Sequence, residues 1–115
     1  MVHLKLWQDN AGRLCAFEAN GHSGYAEEGS DIVCAAVSVL AITCINAVET
    51  ICGTPMLVKG GENGYLSARL SDKLTTEHER DAQTLLRALR LGWESLAEEY
   101  PRYVHFSTMN GGKSP

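Results

Sequence analysis

Two residues of this chain, His22 and Cys34, have the side-chain types and the placement that a nucleophilic enzyme needs. His22 lies in a glycine-rich stretch, residues 21–29, which has the backbone freedom to fold back over the next segment of the chain. Cys34 falls in the first turn of a predicted helix, where unpaired backbone amides and the positive end of the helix dipole favour a thiolate. The sequence therefore predicts a thiolate nucleophile with His22 as its general acid and base.

The residues around this pair are expected to support it. Either Ser30 or Asp31 offers the side-chain oxygen that caps the predicted helix, and Asp31 has the alternative role of orienting the loop or His22. Ser38 lies one turn beyond Cys34 on the same helical face, so its hydroxyl is expected to bond near the sulfur or back to a helix carbonyl. We also expect the amides of the first turn to serve as oxyanion donors for a tetrahedral intermediate.

A cysteine in an apolar helix has an ordinary alternative role as a small core residue. We interpret the other three cysteines in that way, as free thiols: Cys15, Cys44 and Cys52. Since no two cysteines have the C-x-x-C spacing, we predict no metal site. The remaining histidines lack a flexible loop and a nearby nucleophile. We expect His3 and His105 on solvated or interface faces of strands, and His78 on a solvated helix start.

Periodicity and turn residues predict the elements that position these side chains. Alternation predicts strands over 2–7, 13–19, 56–60, 65–70 and 103–108, and helices are expected from the cap to Cys52 and from Thr76 to Pro101. Thr76 and Glu79 fit a capping box for the second helix. The order ββαββαβ predicts an α+β fold, with a mixed or antiparallel sheet of about five strands packed against two long helices.

Composition predicts one globular domain over residues 1–109, followed by a polar tail over 110–115. The chain has 115 residues, of which 44% are hydrophobic and 21% charged. Its net charge of −4 argues against direct nucleic-acid binding and suits a basic peptide, which Glu27 and Glu28 would attract. No signal peptide is visible, and polar residues interrupt the apolar region 32–51, so we expect a cytoplasmic protein without a membrane span.

The first predicted helix is apolar on nearly all sides, so more than one of its faces should be buried. Either both faces pack inside the monomer or one packs against another subunit. We favour a subunit interface, and therefore a homodimer, because so small a domain has little interior to offer.

The loop before this helix is expected to act as a gate over the nucleophile. Few of its side chains are suited to anchor it in a core, and a peptide segment would pack under Tyr25. The residues that we assign to this substrate loop are Gly21, Ser23, Gly24, Tyr25 and Gly29.

The sequence resembles the ribosomal-processing cysteine protease family, called Prp. The family pattern is Gly-His-Ala or Gly-His-Ser, a short glycine-containing loop, and then Gly-x-Asp-hydrophobic-Val-Cys-small-small-hydrophobic-Ser. It appears here as Gly21-His22-Ser23 followed by Gly29-Ser30-Asp31-Ile32-Val33-Cys34-Ala35-Ala36-Val37-Ser38. The segment Asn46-Ala47-Val48-Glu49 also looks like the family's helix ending, and the resemblance covers essentially the whole chain. Ser23 is a mild departure, since Ala is more usual there.

The resemblance implies a bacterial endopeptidase with a His-Cys dyad, in which His22 is the base and Cys34 the nucleophile. Family members remove a short N-terminal extension from large-subunit ribosomal protein number twenty-seven, cutting after a hydrophobic, Phe-containing segment and before a small residue. They are homodimers joined through helices, and they need no metal or organic cofactor.

Two other classes of function compete with this interpretation. One is a non-catalytic ribosome-assembly module that binds the same basic protein, against which the intact His22 and Cys34 argue. The other is a thiol redox enzyme, which is disfavoured because Cys34 has no close resolving cysteine in the sequence.

Overall fold

A computed structural model of the chain describes residues 1–27 and 29–111, and within them the elements follow the predicted order ββαββαβ. The strands and helices are β1 (Val2–Gln8), β2 (Leu14–Asn20), α1 (Ile32–Cys52), β3 (Leu57–Glu62), β4 (Tyr65–Arg69), α2 (Thr76–Glu99) and β5 (Val104–Asn110).

The strands form one sheet in the order β3-β4-β2-β1-β5. Every neighbouring pair is antiparallel except β1 and β5, which run parallel with Val2 opposite Val104. The predicted α+β fold with a mixed sheet of five strands is therefore confirmed. The single parallel pair arises because β5 returns from α2 on the far side of β1, and a parallel pairing requires such a crossover.

The β3–β4 hairpin turns tightly at Asn63 and Gly64. Both residues have a left-handed backbone, with φ of 56° and 74°, as the asparagine-glycine pair predicts for this kind of turn. β3 is longer than predicted and reaches Glu62, which pairs with Tyr65 after an irregularity in the register. The turn that closes this hairpin is therefore the two residues of the Asn-Gly pair.

The core lies between one face of the sheet and the two helices, with Trp93 of α2 at its centre. The indole is fully buried and meets Phe17 of β2 edge to face, with the ring centroids 5.5 Å apart. Its Nε1–H donates to the backbone oxygen of Val37 in α1 at 3.4 Å, so the buried indole nitrogen has a partner. Trp93 of α2 thus contacts both the sheet and α1.

The helix α1 is buried along one stripe and exposed along the other within a single copy of the chain. The buried stripe consists of Val33, Val37, Ala41, Cys44, Val48 and Cys52. The exposed side carries large apolar residues, namely Ile32, Val39, Ile42 and Ile51. The alternative in which both faces pack inside the monomer is therefore wrong, because the sheet and α2 cover only one side of the helix.

By length and mean hydropathy alone, α1 is long and apolar enough to cross a membrane. Its buried stripe nevertheless belongs to the same core as the sheet and α2, which is the placement of a core helix. Gly53 ends it in a left-handed conformation with φ of 71°, and the Gly53 amide donates to the carbonyl of Glu49 at 3.0 Å.

The second helix begins one residue earlier than its predicted capping box requires. Thr75 is the N-cap and accepts from the amide of His78 at 3.3 Å. The predicted box of Thr76 with Glu79 is wrong, because the cap at Thr75 puts His78 at the third helical position. Glu79 forms an ion pair with Arg13 of the β1–β2 hairpin. The Glu79 carboxylate thus pairs with a residue distant in sequence and does not take part in a local capping motif.

The last strand extends to Asn110, which pairs with Gln8 and is the first residue of the predicted tail. Residues 112–115 of that tail lie outside the described residues, as does Glu28.

Candidate active site

The start of α1 is built around Asp31, which takes the cap position in preference to Ser30. Its Oδ1 accepts hydrogen bonds from the amides of Val33 at 3.0 Å and of Cys34 at 2.9 Å. Cys34 is therefore the third residue of the helix, and its side chain lies in the first turn. The half-buried thiol thus occupies the position at which a helix best stabilises negative charge.

The second oxygen of Asp31 ties the loop before the helix to the helix itself. Oδ2 accepts from the Ser23 hydroxyl and from the Ala26 amide at 3.5 Å, and the Ser23 oxygen in turn accepts from the Tyr25 amide at 3.2 Å. Partial burial alone would raise the pKa of Asp31, but hydrogen bonds from the Ser23 hydroxyl and from the amides of Cys34 and Ala26 outweigh it and lower that pKa to about 2. Asp31 is thus an anion that holds loop and helix together.

The sulfur of Cys34 faces the backbone of the histidine loop. The amide of Ser23 donates to Sγ at 3.3 Å, and Ser23 itself is only 2% exposed. A thiolate at this position would be held by the helix end on one side and by this amide on the other.

The other cysteines occupy a different environment. Burial raises the pKa of the Cys44 thiol to about 12, and it raises the pKa of Cys15 and Cys52 as well. All three donate to backbone oxygens: Cys15 to Trp7 at 3.4 Å, Cys44 to Leu85 at 3.9 Å and Cys52 to His78 at 3.5 Å. These thiols are held in the neutral form, as expected of structural cysteines.

His22 is placed by the β3–β4 turn as well as by its own loop. The amide of Gly21 donates to the carbonyl of Gly64 at 2.7 Å, which fixes the backbone just before the histidine. The imidazole lies so close to Gly64 that a Cβ added there would stand 2.7 Å from Nε2. Sequence reasoning missed this contact, although the Asn63-Gly64 turn that makes it was predicted.

One cavity of about 520 Å³ collects most of the predicted site residues. Its wall includes His22, Cys34, Asp31 and Ser38, together with residues 61–66 of the β3–β4 hairpin. Neither hydrogen bond expected of the Ser38 hydroxyl is formed with any described residue. The apolar part of the wall includes Val2, Ala19, Val37, Ala41, Ile42 and Leu66. A cavity of this size suits a short peptide segment with one apolar side chain.

The substrate loop divides between this wall and the body of the domain. The three glycines of the predicted loop line the cavity: Gly21, Gly24 and Gly29. Ser23 is buried beneath the loop, and Tyr25 packs edge to face on Tyr100 and Tyr103, with centroids 5.7 and 5.2 Å apart. Ser23 and Tyr25 thus tie the loop to the body of the domain, although Tyr25 remains 41% exposed.

The predicted oxyanion donors are engaged elsewhere. The amides of Val33 and Cys34 donate to the Asp31 side chain, and the amide of Ala35 donates to the Asp31 carbonyl at 3.1 Å. The expectation that first-turn amides receive an oxyanion is therefore wrong for these three. The amide that faces the sulfur is that of Ser23, and no sequence signal singles out a backbone group of this kind.

Within the described part of the chain, His, Cys, Asp and Glu side chains do not come together in groups of three or more that could hold a metal ion.

Comparison with known proteins gives consistent results over nearly the whole chain. Residues 1–105 match the family model described as cysteine protease Prp. A Bacillus subtilis (strain 168) protein named ribosomal processing cysteine protease Prp is 28% identical over 109 residues, covering 94% of this chain and 97% of that protein. The protein of the same name from Staphylococcus aureus (strain NCTC 8325 / PS 47) is 23% identical over 108 residues, covering 93% of this chain and 98% of that protein.

Solved structures share the fold. The crystal structure of SMU.848 from Streptococcus mutans is 33% identical and superposes with a TM-score of 0.81, covering 96% of this chain and 95% of that one. The essential ribosomal processing protease Prp from S. aureus, in complex with a covalently linked product peptide, is 22% identical with a TM-score of 0.82, covering 94% and 99% of the two chains.

Proposed function

This chain belongs to the Prp family of cysteine proteases, and we propose that it is an endopeptidase in which Cys34 is the nucleophile and His22 the general acid and base. The observation that carries this proposal is the shared cavity, whose wall holds both side chains while the Ser23 amide points at the sulfur. Two polar groups of complementary chemistry on one concave wall are what acyl transfer requires.

The reaction proceeds through a thioester. His22 accepts the proton of the Cys34 thiol, and the thiolate adds to the scissile carbonyl, forming a carbon–sulfur bond. The amide of Ser23, already directed at the sulfur, donates to the oxyanion that develops beside it. His22 then gives its proton to the departing amine as the carbon–nitrogen bond breaks. Water, activated by His22, hydrolyses the thioester to a carboxylate and restores the thiol.

The substrate we propose is the N-terminal extension of large-subunit ribosomal protein number twenty-seven, in keeping with the ribosomal processing named for the relatives. The apolar part of the cavity wall would take the hydrophobic, Phe-containing segment before the cut. Glu62 of the wall and Glu27 of the loop are exposed acidic residues near that cavity, and they would attract the basic residues of a ribosomal protein.

The site of action we propose is the bacterial cytoplasm, with the protein acting as a homodimer. The exposed apolar side of α1 supports the dimer, because Ile32 and Val39 are each more than half exposed in one copy. Sedimentation equilibrium at micromolar concentration should give twice the chain mass of 12.5 kDa. A monomer throughout that range would contradict the dimer, and a charge placed by Val39→Glu should dissociate it.

The function itself is tested by mass spectrometry of a synthetic peptide that carries a hydrophobic, Phe-containing segment followed by a small residue. The wild-type chain should cut it once, before the small residue, and Cys34→Ala should leave it intact. Retention of the uncut peptide on the wild-type chain would instead favour the ribosome-assembly module, and a change confined to thiol oxidation state would favour a redox enzyme.

A further inference from the structure

We propose that Gly64, in the β3–β4 turn, is a positioning residue for the imidazole of His22, an inference that rests on the proposed role of His22 as the base. Gly64 lies far from His22 in sequence and contributes no side chain. Gly64 would act through its lack of a side chain, because the His22 ring occupies the space that a Cβ at position 64 would take.

The distances show how the ring lies on the glycine. A Cβ added to Gly64 would be 2.7 Å from Nε2, 3.0 Å from Cε1 and 3.1 Å from Cδ2 of His22. The last two atoms are the two neighbours of Nε2 in the ring, and they are almost as close as Nε2 itself. The added carbon would therefore sit over the face of the ring and not in line with the Nε2 bond direction. The in-plane direction of Nε2, along which it accepts or donates a proton, is left free by Gly64.

The backbone around this contact has little room to yield. The carbonyl of Gly64 accepts from the Gly21 amide at 2.7 Å, so the turn and the base of the loop are fixed to each other. Gly21 is itself packed closely, since a Cβ there would stand 2.5 Å from the carbonyl oxygen of Met1. With the backbone held on both sides, a side chain at position 64 would displace the imidazole.

A side chain at position 64 would also be disfavoured by the backbone conformation, independently of His22. A control variant at Gly53 separates this effect from the contact with the imidazole. Gly64 has φ of 74°, a conformation that disfavours any side chain, whatever lies beside it. Gly53, at the end of α1, has φ of 71°, and a Cβ added there meets nothing within 4 Å. Gly64→Ala and Gly53→Ala thus place a side chain at nearly the same positive φ, and only the first also pushes on His22.

The experiment compares these two variants with His22→Ala. We expect Gly64→Ala to lower kcat for peptide cleavage by about a hundredfold, as misplacement of a catalytic group by an ångström does. Gly53→Ala should lose a similar number of degrees in melting temperature and keep its kcat. The pH profile of Cys34 alkylation by iodoacetamide should move in Gly64→Ala towards the profile of His22→Ala. In the His22→Ala background, Gly64→Ala should cause no further loss.

The inference is overturned if both glycine variants lose turnover equally, or if Gly64→Ala keeps the wild-type alkylation profile. If Gly64→Ala does not fold, Gly64→Asn is compared with Gly53→Asn, because asparagine tolerates positive φ yet carries the same Cβ. The proposed dyad has its own test: it fails if the His22→Ala variant cleaves the peptide as fast as wild type does. The His22 ring Hε1 resonance decides the positioning role even then: it should shift in Gly64→Ala and not in Gly53→Ala, and an unshifted resonance refutes the inference.

Discussion

The two helices of this domain begin with the same local device and differ in what surrounds it. Asp31 caps α1 and Thr75 caps α2, and each cap side chain accepts from the amide of the third helical residue. That third residue is Cys34 in α1 and His78 in α2. By local structure alone, both helix starts place a reactive side chain at a helix N-terminus.

The surroundings separate them. The first turn of α2 carries Glu77 and Glu79, which offset the helix dipole from within. The first turn of α1 has no acidic residue, and a loop covers it, bonded to the cap through Ser23 and Ala26. The comparison teaches that a helix end becomes a candidate site only when a second element brings a base to it.

Removal of the thiol should have the largest effect. Cys34→Ala should lower cleavage by at least about a thousandfold, because no other group can form the thioester. The matched variant Cys52→Ala removes a buried sulfur from the far end of the same helix. It should cost about 1 kcal/mol of stability and leave turnover unchanged. Peptide cleavage and urea unfolding measure the two, and equal losses of turnover would abolish the distinction between the two ends of α1.

The two histidines should differ next. His22→Asn should lower kcat by roughly a hundredfold to ten-thousandfold, the usual worth of a general acid-base group. His78→Asn, at the start of α2, should leave kcat unchanged because no nucleophile faces it. Steady-state kinetics on the same peptide decides this, and a loss in His78→Asn would show that the start of α2 takes part.

The two caps should differ in function more than in stability. Asp31→Ala and Thr75→Ala should each lower the free energy of unfolding by about 1 kcal/mol, since each removes an N-cap. Only Asp31→Ala should also lower turnover, because it releases the Ser23 loop from the helix. Asp31→Asn, which keeps the shape and loses the charge, should fall between wild type and Asp31→Ala. Identical kinetics for Asp31→Ala and Thr75→Ala would show that Asp31 acts only as a helix cap and does not position the loop.

The smallest effect should appear in the acid range. The pKa of Asp31 is about 2, below its ordinary value of 3.8, so the folded state favours the ionised form. The stability this provides is fully present above the ordinary pKa and is lost as the pH falls towards 2. Urea unfolding at a series of acid pH values should show this loss in wild type and in Thr75→Ala, and a weaker one in Asp31→Asn. An equal loss in all three would assign it to other carboxylates.

Signals carried by neighbouring residues were enough to predict much of the fold. The chain order of the elements, ββαββαβ, the Asn63-Gly64 turn and the Gly53 helix end all follow from short stretches of sequence whose local preference agrees with the structure. The motif around His22 and Cys34 likewise predicted two residues that the fold brings to one cavity.

Contacts between distant segments could not be predicted in this way. The capping box at Thr76 failed because the helix is capped by Thr75, and Glu79 pairs with the distant Arg13. The anchoring of Tyr25 on Tyr100 and Tyr103 depends on where α2 ends in space, which no local pattern encodes. The oxyanion prediction failed because the Asp31 side chain had already satisfied the amides of Val33 and Cys34.

The central claim, that the loop-covered start of α1 holds the reactive thiol, is tested most directly by alkylating all four cysteines of one native sample. Iodoacetamide at neutral pH, followed by peptide mapping, reports each thiol against the other three. We expect Cys34 to be modified first and Cys44 last, since burial raises the pKa of Cys44 to about 12. In the His22→Asn variant, iodoacetamide should modify Cys34 more slowly than in wild type. Equal modification of all four thiols, or faster modification of Cys15, would contradict the assignment.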